Sequence, residues 1–286
     1  MISDLLLQKL QCPRCGESRL EAVAAQNHLR CLKCQVQFPM VDGRFPDFLS
    51  DEDRIILKEE LAFWKAHFPG NTIYNDESPE SYKEWSELCQ LTGQEEVLEI
   101  GCGSGALLSA IPARLRVGLE PVESLLLPSK GFEGVIGNAA LLPYRDNCFD
   151  IVYFKHSLHH IVPKEKAFAE AARLVKPGGK LIVIEPNAAH PYRRMTSNPN
   201  NPLRKYHIVV QFMSPVETFQ HADVLITWAK KAGLTLEKLI YRESSYVRLS
   251  FKQKLQKIYR IVFRYVLPAK YRFPNYFLMF QKPAAT

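Results

Sequence analysis

The sequence has no apolar run of the roughly 20 residues needed to cross a bilayer, which argues against a helical membrane protein. Its start, MISDLLLQKLQCPRC, lacks a basic region leading into a long apolar core and a small-residue cleavage site, so the expected location is the cytoplasm. Cysteine is scarce: seven residues, an odd number that does not suit a secreted disulfide framework. Acidic residues are scarce in one region only. Residues 187–286 hold 17 Lys or Arg against 4 Asp or Glu, whereas residues 1–186 hold 20 against 26. The basic character is therefore local, and it predicts a surface for an anionic partner on the last third of the chain. A hydrophobic content of 47% in 286 residues is that of a globular protein with room for one catalytic α/β domain and a small satellite.

Four of the seven cysteines form two CxxC pairs, Cys12 with Cys15 and Cys31 with Cys34, separated by fifteen residues. Each pair fits a tight knuckle turn, and two knuckles complete a tetrahedral thiolate site for structural Zn²⁺. Four thiolates leave no open position for metal catalysis. A redox motif would instead place a single CxxC at the start of a helix after a strand. A segment of this size buries too little surface to fold on apolar contacts alone, so the metal is expected to supply much of its stability. Cys89, Cys102 and Cys148 are scattered and are read as reduced core residues.

The stretches LLLQKLQCPRCGESRL and LRCLKCQVQFPMVDGRFPDFL, within residues 5–49, resemble the zinc-ribbon family of the activator subunit that supports eukaryotic tRNA, rRNA and release-factor methyltransferases. The aromatic-Pro-hydrophobic-x-Asp-Gly run from Phe38 to Gly43 is part of that likeness. In that family the ribbon packs on a methyltransferase and stabilises it, which implies a supporting role here, in cis. The expected organisation is a zinc-ribbon domain over 1–50, a helical cap over 51–92 and a catalytic domain over 93–286. Within the cap, DEDRIILKEELAFWKAHF predicts one helix over 51–68 with an acidic first turn, closed by Pro69-Gly70, and a second helix falls near Tyr82 to Leu91. Tyr74, Tyr82 and Trp85 are candidates to close over a cofactor, with core packing as the plainer alternative.

Glu96 to Leu108, EVLEIGCGSGALL, reads as an apolar strand, a glycine loop and a helix. Glycines let a backbone approach a ligand closely, but a GxGxG turn alone also fits dinucleotide binders. Glu99 stands just before the glycines, where a carboxylate repels a pyrophosphate and suits an ammonium group. S-adenosylmethionine carries an ammonium and no phosphate. Glu120 ends a second strand, VGLEP, where it can accept hydrogen bonds from both ribose hydroxyls. With GNAALLPYRDNCFD over 137–150, the strand IVYF, the run KHSLHH and RLVKPGGKLIVIE over 173–185, residues 95–186 resemble the class I methyltransferases of the group containing ubiquinone and menaquinone C-methyltransferases.

That resemblance implies an α/β fold with a doubly wound seven-stranded sheet whose last strand, near Tyr276 to Gln281, is antiparallel. It implies that Glu99 orients the amino-acid end of S-adenosylmethionine, that Gly101, Cys102, Gly103 and Gly105 form the loop beneath it, and that Glu120 holds the ribose. Adenine is then held near Asn138 and Ala139. One residue departs from the pattern: the family most often has Asp where this chain has Asn138, although an amide carbonyl also accepts a hydrogen bond. Asp150 and Phe149 read as structural.

Methyl transfer needs alignment, a dry site and, for a hydroxyl or protonated amine, a base. His156, His159 and His160 follow the fourth strand at its carboxyl end, where ligands bind in such sheets, and His159 is the preferred base. Helix capping or packing on the sheet is the structural alternative. The Asn/Asp-Pro-Pro-aromatic signature for methylating planar amino groups is missing, its place taken by Lys155-His156-Ser157-Leu158. Residues 187–222 form a long insertion after the fifth strand, where the resembling family builds its acceptor lid; Asn187, His190, Tyr192, Arg193 and Arg194 are candidate substrate contacts, with a solvated loop of incidental charge as the equal alternative.

A basic amphipathic helix is predicted across 250–267, its apolar face including Ile258, Val262 and Val266, and it suits peripheral contact with an anionic membrane or packing on the domain. The expected activity is S-adenosylmethionine-dependent methylation of a small-molecule or lipid- or glycan-linked acceptor. The alternative is a tRNA or rRNA acceptor that uses the ribbon and the basic third. A non-catalytic S-adenosylmethionine-binding partner is a further class, disfavoured by the intact glycines and both acids.

Overall fold

The computed structural model describes residues 2–23, 26–67, 79–191, 216–242 and 266–284, together with 193, 194, 214, 258, 261 and 262. Tyr74 and Tyr192, most of the 187–222 insertion and most of the 250–267 helix lie outside the described residues. No described helix is long and apolar enough to cross a membrane.

The chain opens with a short helix, α1 (Asp4–Leu7), followed by a four-stranded antiparallel sheet: β1 (Leu20–Val23), β2 (His28–Cys31), β3 (Gln37–Val41) and β4 (Phe45–Pro46). Three helices follow in the region expected to form the cap: α2 (Asp51–Ile56), α3 (Lys58–His67) and α4 (Pro79–Cys89). The expected single helix over 51–68 is in fact two, broken at Leu57, which closes α2 with its N–H on the carbonyls of Asp53 and Ile55. Ser50 starts α2 in a capping box: its hydroxyl accepts from the Asp53 N–H while the Asp53 carboxylate accepts from the Ser50 N–H, satisfying two donors that a helix start leaves orphaned.

The seven-stranded sheet begins with β5 (Glu96–Ile100), α5 (Ala106–Ala110), β6 (Leu115–Leu119), α6 (Glu123–Leu126) and β7 (Glu133–Val135). It continues with β8 (Phe149–Lys155), a 3₁₀ turn (Leu158–His160), α7 (Lys164–Leu174) and β9 (Val175–Pro186), and closes with α8 (Ala222–Lys231), β10 (Thr235–Arg242), α9 (Ala269–Arg272) and β11 (Asn275–Gln281). The strand order is β10-β11-β9-β8-β5-β6-β7. β11 runs antiparallel between β9 and β10, as YFLMFQ predicts, while β7, β6, β5, β8 and β9 are parallel. Buried on both faces, the central strands read as near-continuous apolar runs, and β5 has no exposed residue. The path turns one way from β5 to β6 and the other way to β8, which leaves a crevice at the carboxyl ends of these strands.

The ribbon is joined to this sheet by backbone as well as side chains. Leu10 bridges to Tyr144, Asp47 bridges to Ile136, and Ile136 exchanges hydrogen bonds of 2.9 Å with Pro46 and Phe48. Leu6, Leu10, Leu29, Phe38 and Phe48 share one apolar cluster with Val117, Leu119, Val135 and Tyr144. Phe45 presses so closely on β7 that a Cβ on Gly134 would meet its ring at 2.7 Å, so only glycine fits there. Lys9, buried, places its ammonium 2.6 Å from both Glu96 and the Cys148 carbonyl oxygen. Asp150 and Phe149 are structural, as expected: Asp150 accepts from the Glu96 N–H and from Lys176, and Phe149 is fully buried.

Candidate functional site

The loop from β5 to α5 crosses the crevice with Gly101, Gly103 and Gly105 at φ of +70°, +53° and +67°. A Cβ at Gly101 would meet Ser157 at 2.5 Å and one at Gly105 would meet Phe132 at 2.1 Å, so both glycines are required by close packing below the loop. Gly103 is different, because a Cβ there would meet nothing within 4 Å. That face of the loop is open to a ligand. The Cys102 side chain turns the other way, towards Gly118, so only its backbone lines the loop.

Two buried carboxylates flank the glycines. Glu120 accepts from the Gly103 N–H at 2.9 Å and from the Val122 N–H at 3.0 Å, which fixes both oxygens at the end of β6. Burial pushes its carboxyl up to about 7, against the pull of those two donors. A ligand bringing hydroxyl donors would relieve that burial by solvating the charge. Glu99, the other acid, accepts a hydrogen bond of 2.9 Å from the Tyr153 hydroxyl across the β5–β8 register. Trp85 of α4 packs on Tyr153 with ring centroids 4.8 Å apart, so its role is core packing under the site. Tyr82 is a partly buried member of the same cluster. A pocket floor of open glycine backbone between two acids fits the ribose and ammonium of S-adenosylmethionine and repels a pyrophosphate.

Asn138 follows β7. Its carbonyl accepts from the Ala140 N–H at 2.9 Å, and its amide donates to Asp53 of α2 at 2.6 Å. Ala139 is buried beside it. The loop after β7 is thereby tied to the capping box that follows the ribbon.

The three histidines sit at the end of β8 but are not equivalent. His156 occupies a left-handed turn at φ +53°, its N–H on the Ile184 carbonyl, and desolvation pushes its imidazole down to about 3. His159 is buried, with Nδ1 2.5 Å from Glu185 Oε2. The other Glu185 oxygen accepts from the Ser157 and Leu158 N–H groups at 2.9 and 2.8 Å. Burial holds the imidazole well below its usual range and raises the Glu185 carboxyl, so His159 is neutral near pH 7. Nδ1 is committed to Glu185, which leaves Nε2 as the atom that can take a proton. His160 lies beside it, ring centroids 4.1 Å apart, with Nδ1 3.0 Å from Ser214 Oγ and 3.1 Å from Glu60 Oε1.

Glu60 and Glu185 carry no assigned role in the sequence reading. Glu185 closes an apolar strand, and an acid there is a readable signal. Glu60 lies in a helix rich in surface acids, and nothing in the sequence distinguishes it from Glu59. Among the lid candidates, Asn187 is spent on structure: its amide donates to the carbonyls of Lys270 and Phe273. His190 is buried, the Arg194 N–H donates to its carbonyl, and the Arg193 guanidinium lies 5.0 Å from the Phe219 ring, which in turn packs against His159.

The four ribbon cysteines converge. Their sulfurs all lie within 4.8 Å of one another, with Cys12–Cys34 at 3.7 Å and Cys15–Cys31 at 3.6 Å. A tetrahedron of Zn–S bonds of about 2.3 Å sets its sulfurs about 3.8 Å apart, so the cluster fits that ion. Cys89, Cys102 and Cys148 are free and buried.

Residues 98–183 match the family described as "Methyltransferase domain". A ubiquinone/menaquinone biosynthesis C-methyltransferase, UbiE, of Francisella tularensis subsp. novicida is 36% identical over 103 residues, covering 35% of this chain and 36% of its own length. The chain thus spans about a third of the length of that relative. Among solved structures, the complex of the Haloferax volcanii Trm112 methyltransferase activator with a putative methyltransferase contains a chain that superposes at a TM-score of 0.55 with 15% identity, covering 82% of this chain and 98% of that one. A putative methyltransferase from Bacillus halodurans superposes at 0.50 with 20% identity, covering 72% and 100%. Those two likenesses are likenesses of fold. The stretch over residues 98–183, inside a doubly wound seven-stranded sheet, is thus similar in sequence and in fold to methyltransferase domains.

Proposed function

We propose that the protein transfers a methyl group from S-adenosylmethionine to a small-molecule or lipid- or glycan-linked acceptor, with His159 as the base. The observation that carries this reading is the open backbone at Gly103 between two buried acids, Glu99 and Glu120, at the carboxyl ends of β5 and β6. When bound, S-adenosylmethionine supplies a sulfonium-activated methyl group. Glu99, steadied by Tyr153, would face the ammonium, and Glu120 would accept from the ribose hydroxyls. His159 takes the acceptor proton at Nε2, and Glu185, 2.5 Å from Nδ1, stabilises the imidazolium that results. A single structural Zn²⁺ on Cys12, Cys15, Cys31 and Cys34 completes the reading.

A lipid-linked acceptor is favoured by Ile258, Val262 and Val266, which are 56%, 64% and 74% exposed. Such residues suit an anionic membrane surface better than the domain's own core. The basic residues on which RNA binding would depend, Lys252, Lys254, Lys257 and Arg260, lie outside the described residues.

Calorimetry tests the cofactor half of the proposal. S-adenosylmethionine should bind and NAD should not, and Glu120→Ala should weaken binding by about 1.5–3 kcal/mol through loss of two charge-assisted hydrogen bonds. Labelled S-adenosylmethionine tests the other half: label should pass to an extract acceptor with the wild type, whereas His159→Gln should bind the cofactor and transfer none. Preferential NAD binding overturns the reading.

A further inference from the structure

We propose that Ile258, Ile261, Val262 and Val266, with the cations around them, dock the protein on an anionic lipid bilayer and hold the carboxyl end of β9 at the membrane. The inference deepens the methyltransferase reading above, on which its acceptor, a molecule dissolved in the bilayer, rests. The docking itself does not depend on that reading.

Six large aliphatic side chains among the described residues are more than half exposed, and four of them fall in the nine positions from 258 to 266. Ile258, Ile261 and Val262 are helical, and spacings of three and four residues put them on one face. Single exposed apolar residues are ordinary, but a stripe of branched aliphatics marks a contact surface. The charge around it has one sign. Residues 244–286 hold nine Lys or Arg and no Asp or Glu. Lys270, exposed on α9, stands four positions past Val266.

That charge selects the occupant. A second copy of the chain would bring the same cationic surface against itself across a two-fold axis, which repulsion opposes. RNA would take the cations but gain nothing from exposed Ile and Val, since its binding rests on phosphate contacts and aromatic stacking. An anionic bilayer uses both: the aliphatic side chains enter the acyl boundary while Lys and Arg reach back to the headgroups.

The surface is also fixed relative to the crevice. Asn187, the first residue past β9, donates its amide to the carbonyls of Lys270 and Phe273 at 2.7 and 2.9 Å, and its N–H to the Pro274 carbonyl at 2.8 Å. α9 is thereby held at the carboxyl end of β9, where Glu185 pairs with His159. Lys270 and Tyr271 are both exposed there, the ammonium 5.1 Å from the ring centroid, and cations and amphipathic rings suit the headgroup layer. Gln94, exposed just before β5, marks the opposite end of the parallel strands.

The full-length protein, without cofactor or acceptor, is sedimented with vesicles of phosphatidylcholine alone or of a two-to-one mixture with phosphatidylserine. Binding should be at least about tenfold tighter on the anionic vesicles and should weaken as salt is raised. Ile261→Asp with Val262→Asp should lower that binding by about tenfold or more at unchanged melting temperature, and Lys270→Ala by about fivefold. If the aspartate pair melts early, Val266→Asp, at a side chain 74% exposed, replaces it. A polarity-sensitive fluorophore on Val266→Cys should shift to the blue with anionic vesicles, and one on Gln94→Cys should not. Equal binding to both kinds of vesicle, aspartate variants that bind as the wild type does, or equal shifts at the two labels overturns the proposal. So does a dimer that the aspartate pair disperses, or tRNA binding in place of vesicle binding. Because no cofactor is present, failure here leaves methyl transfer standing, and failure of S-adenosylmethionine to bind leaves the docking standing.

Discussion

Replacing Glu96 with Gln removes the carboxylate on which the ribbon and the catalytic sheet converge. Lys9 from the ribbon reaches it at 2.6 Å, Lys176 from β9 at 2.8 Å, and Arg114 pairs with the other oxygen. Burial pushes the Glu96 carboxyl up, but these three cations outweigh it and hold the group at about 2, against an ordinary value of 4.5. A gap of about 2.5 units at about 1.36 kcal/mol each amounts to roughly 3 kcal/mol of folding stability at neutral pH. The sign follows from the depressed value: the stabilisation is complete above 4.5 and is lost as pH falls towards 2. Urea unfolding of wild type and Glu96→Gln should therefore differ by about 3 kcal/mol at pH 7, with the gap narrowing steadily below pH 4.5. Any zinc release in acid affects both proteins alike and drops out of the comparison. A gap that stays constant with pH would mean a packing defect and refute the electrostatic account, as would a difference under about 0.5 kcal/mol at neutral pH.

Metal analysis of protein never exposed to chelator should return one Zn²⁺ per chain, and a value near zero removes the ion from the four-cysteine site. Tyr153→Phe takes the hydroxyl from Glu99 and should weaken S-adenosylmethionine binding while sparing 5′-methylthioadenosine, which lacks the amino-acid end; equal losses for both ligands would move Tyr153 to a general packing role. Asn138→Asp sets a second carboxylate against Asp53 and should destabilise the protein by about 1–3 kcal/mol at pH 7. Adding Asp53→Asn should recover most of that loss, and additive losses in the double variant would show that the two side chains do not communicate.

Local chemistry explains what was legible in the sequence. The glycine loop, the acids ending β5 and β6 and the cysteine knuckles are set by residues close together along the chain, and each falls where its spacing predicts. β11 was legible because a strand buried on both faces reads as an unbroken apolar run, as YFLMFQ does. What was not legible is long-range. Lys9 and Glu96 are 87 positions apart, and neither residue type implies the other. Glu60 meets His160 only because α3 lies against the 3₁₀ turn, and the break at Leu57 between α2 and α3 is a matter of capping geometry, not of periodicity. His159 was singled out for its position after β8, but what orients it is Glu185, 26 residues on and beside it in the folded crevice.

Asn138 shows how a local departure acquires meaning from a distant partner. In isolation it weakens the adenine assignment, because an amide replaces the customary carboxylate. In the fold its amide N–H donates to Asp53, whose other oxygen caps α2 through the Ser50 N–H. A carboxylate at 138 would face a carboxylate at 53, so the amide is the residue type that lets the helix start and the loop after β7 coexist in contact. The ribbon enters the same arrangement through Asp47, which pairs with Arg54 on α2 and bridges to Ile136 two residues before Asn138. A chain of hydrogen bonds thus runs from the end of the ribbon to the loop expected to hold adenine, and loosening the ribbon should be felt first at that side of the cofactor site, through residues that contact no metal.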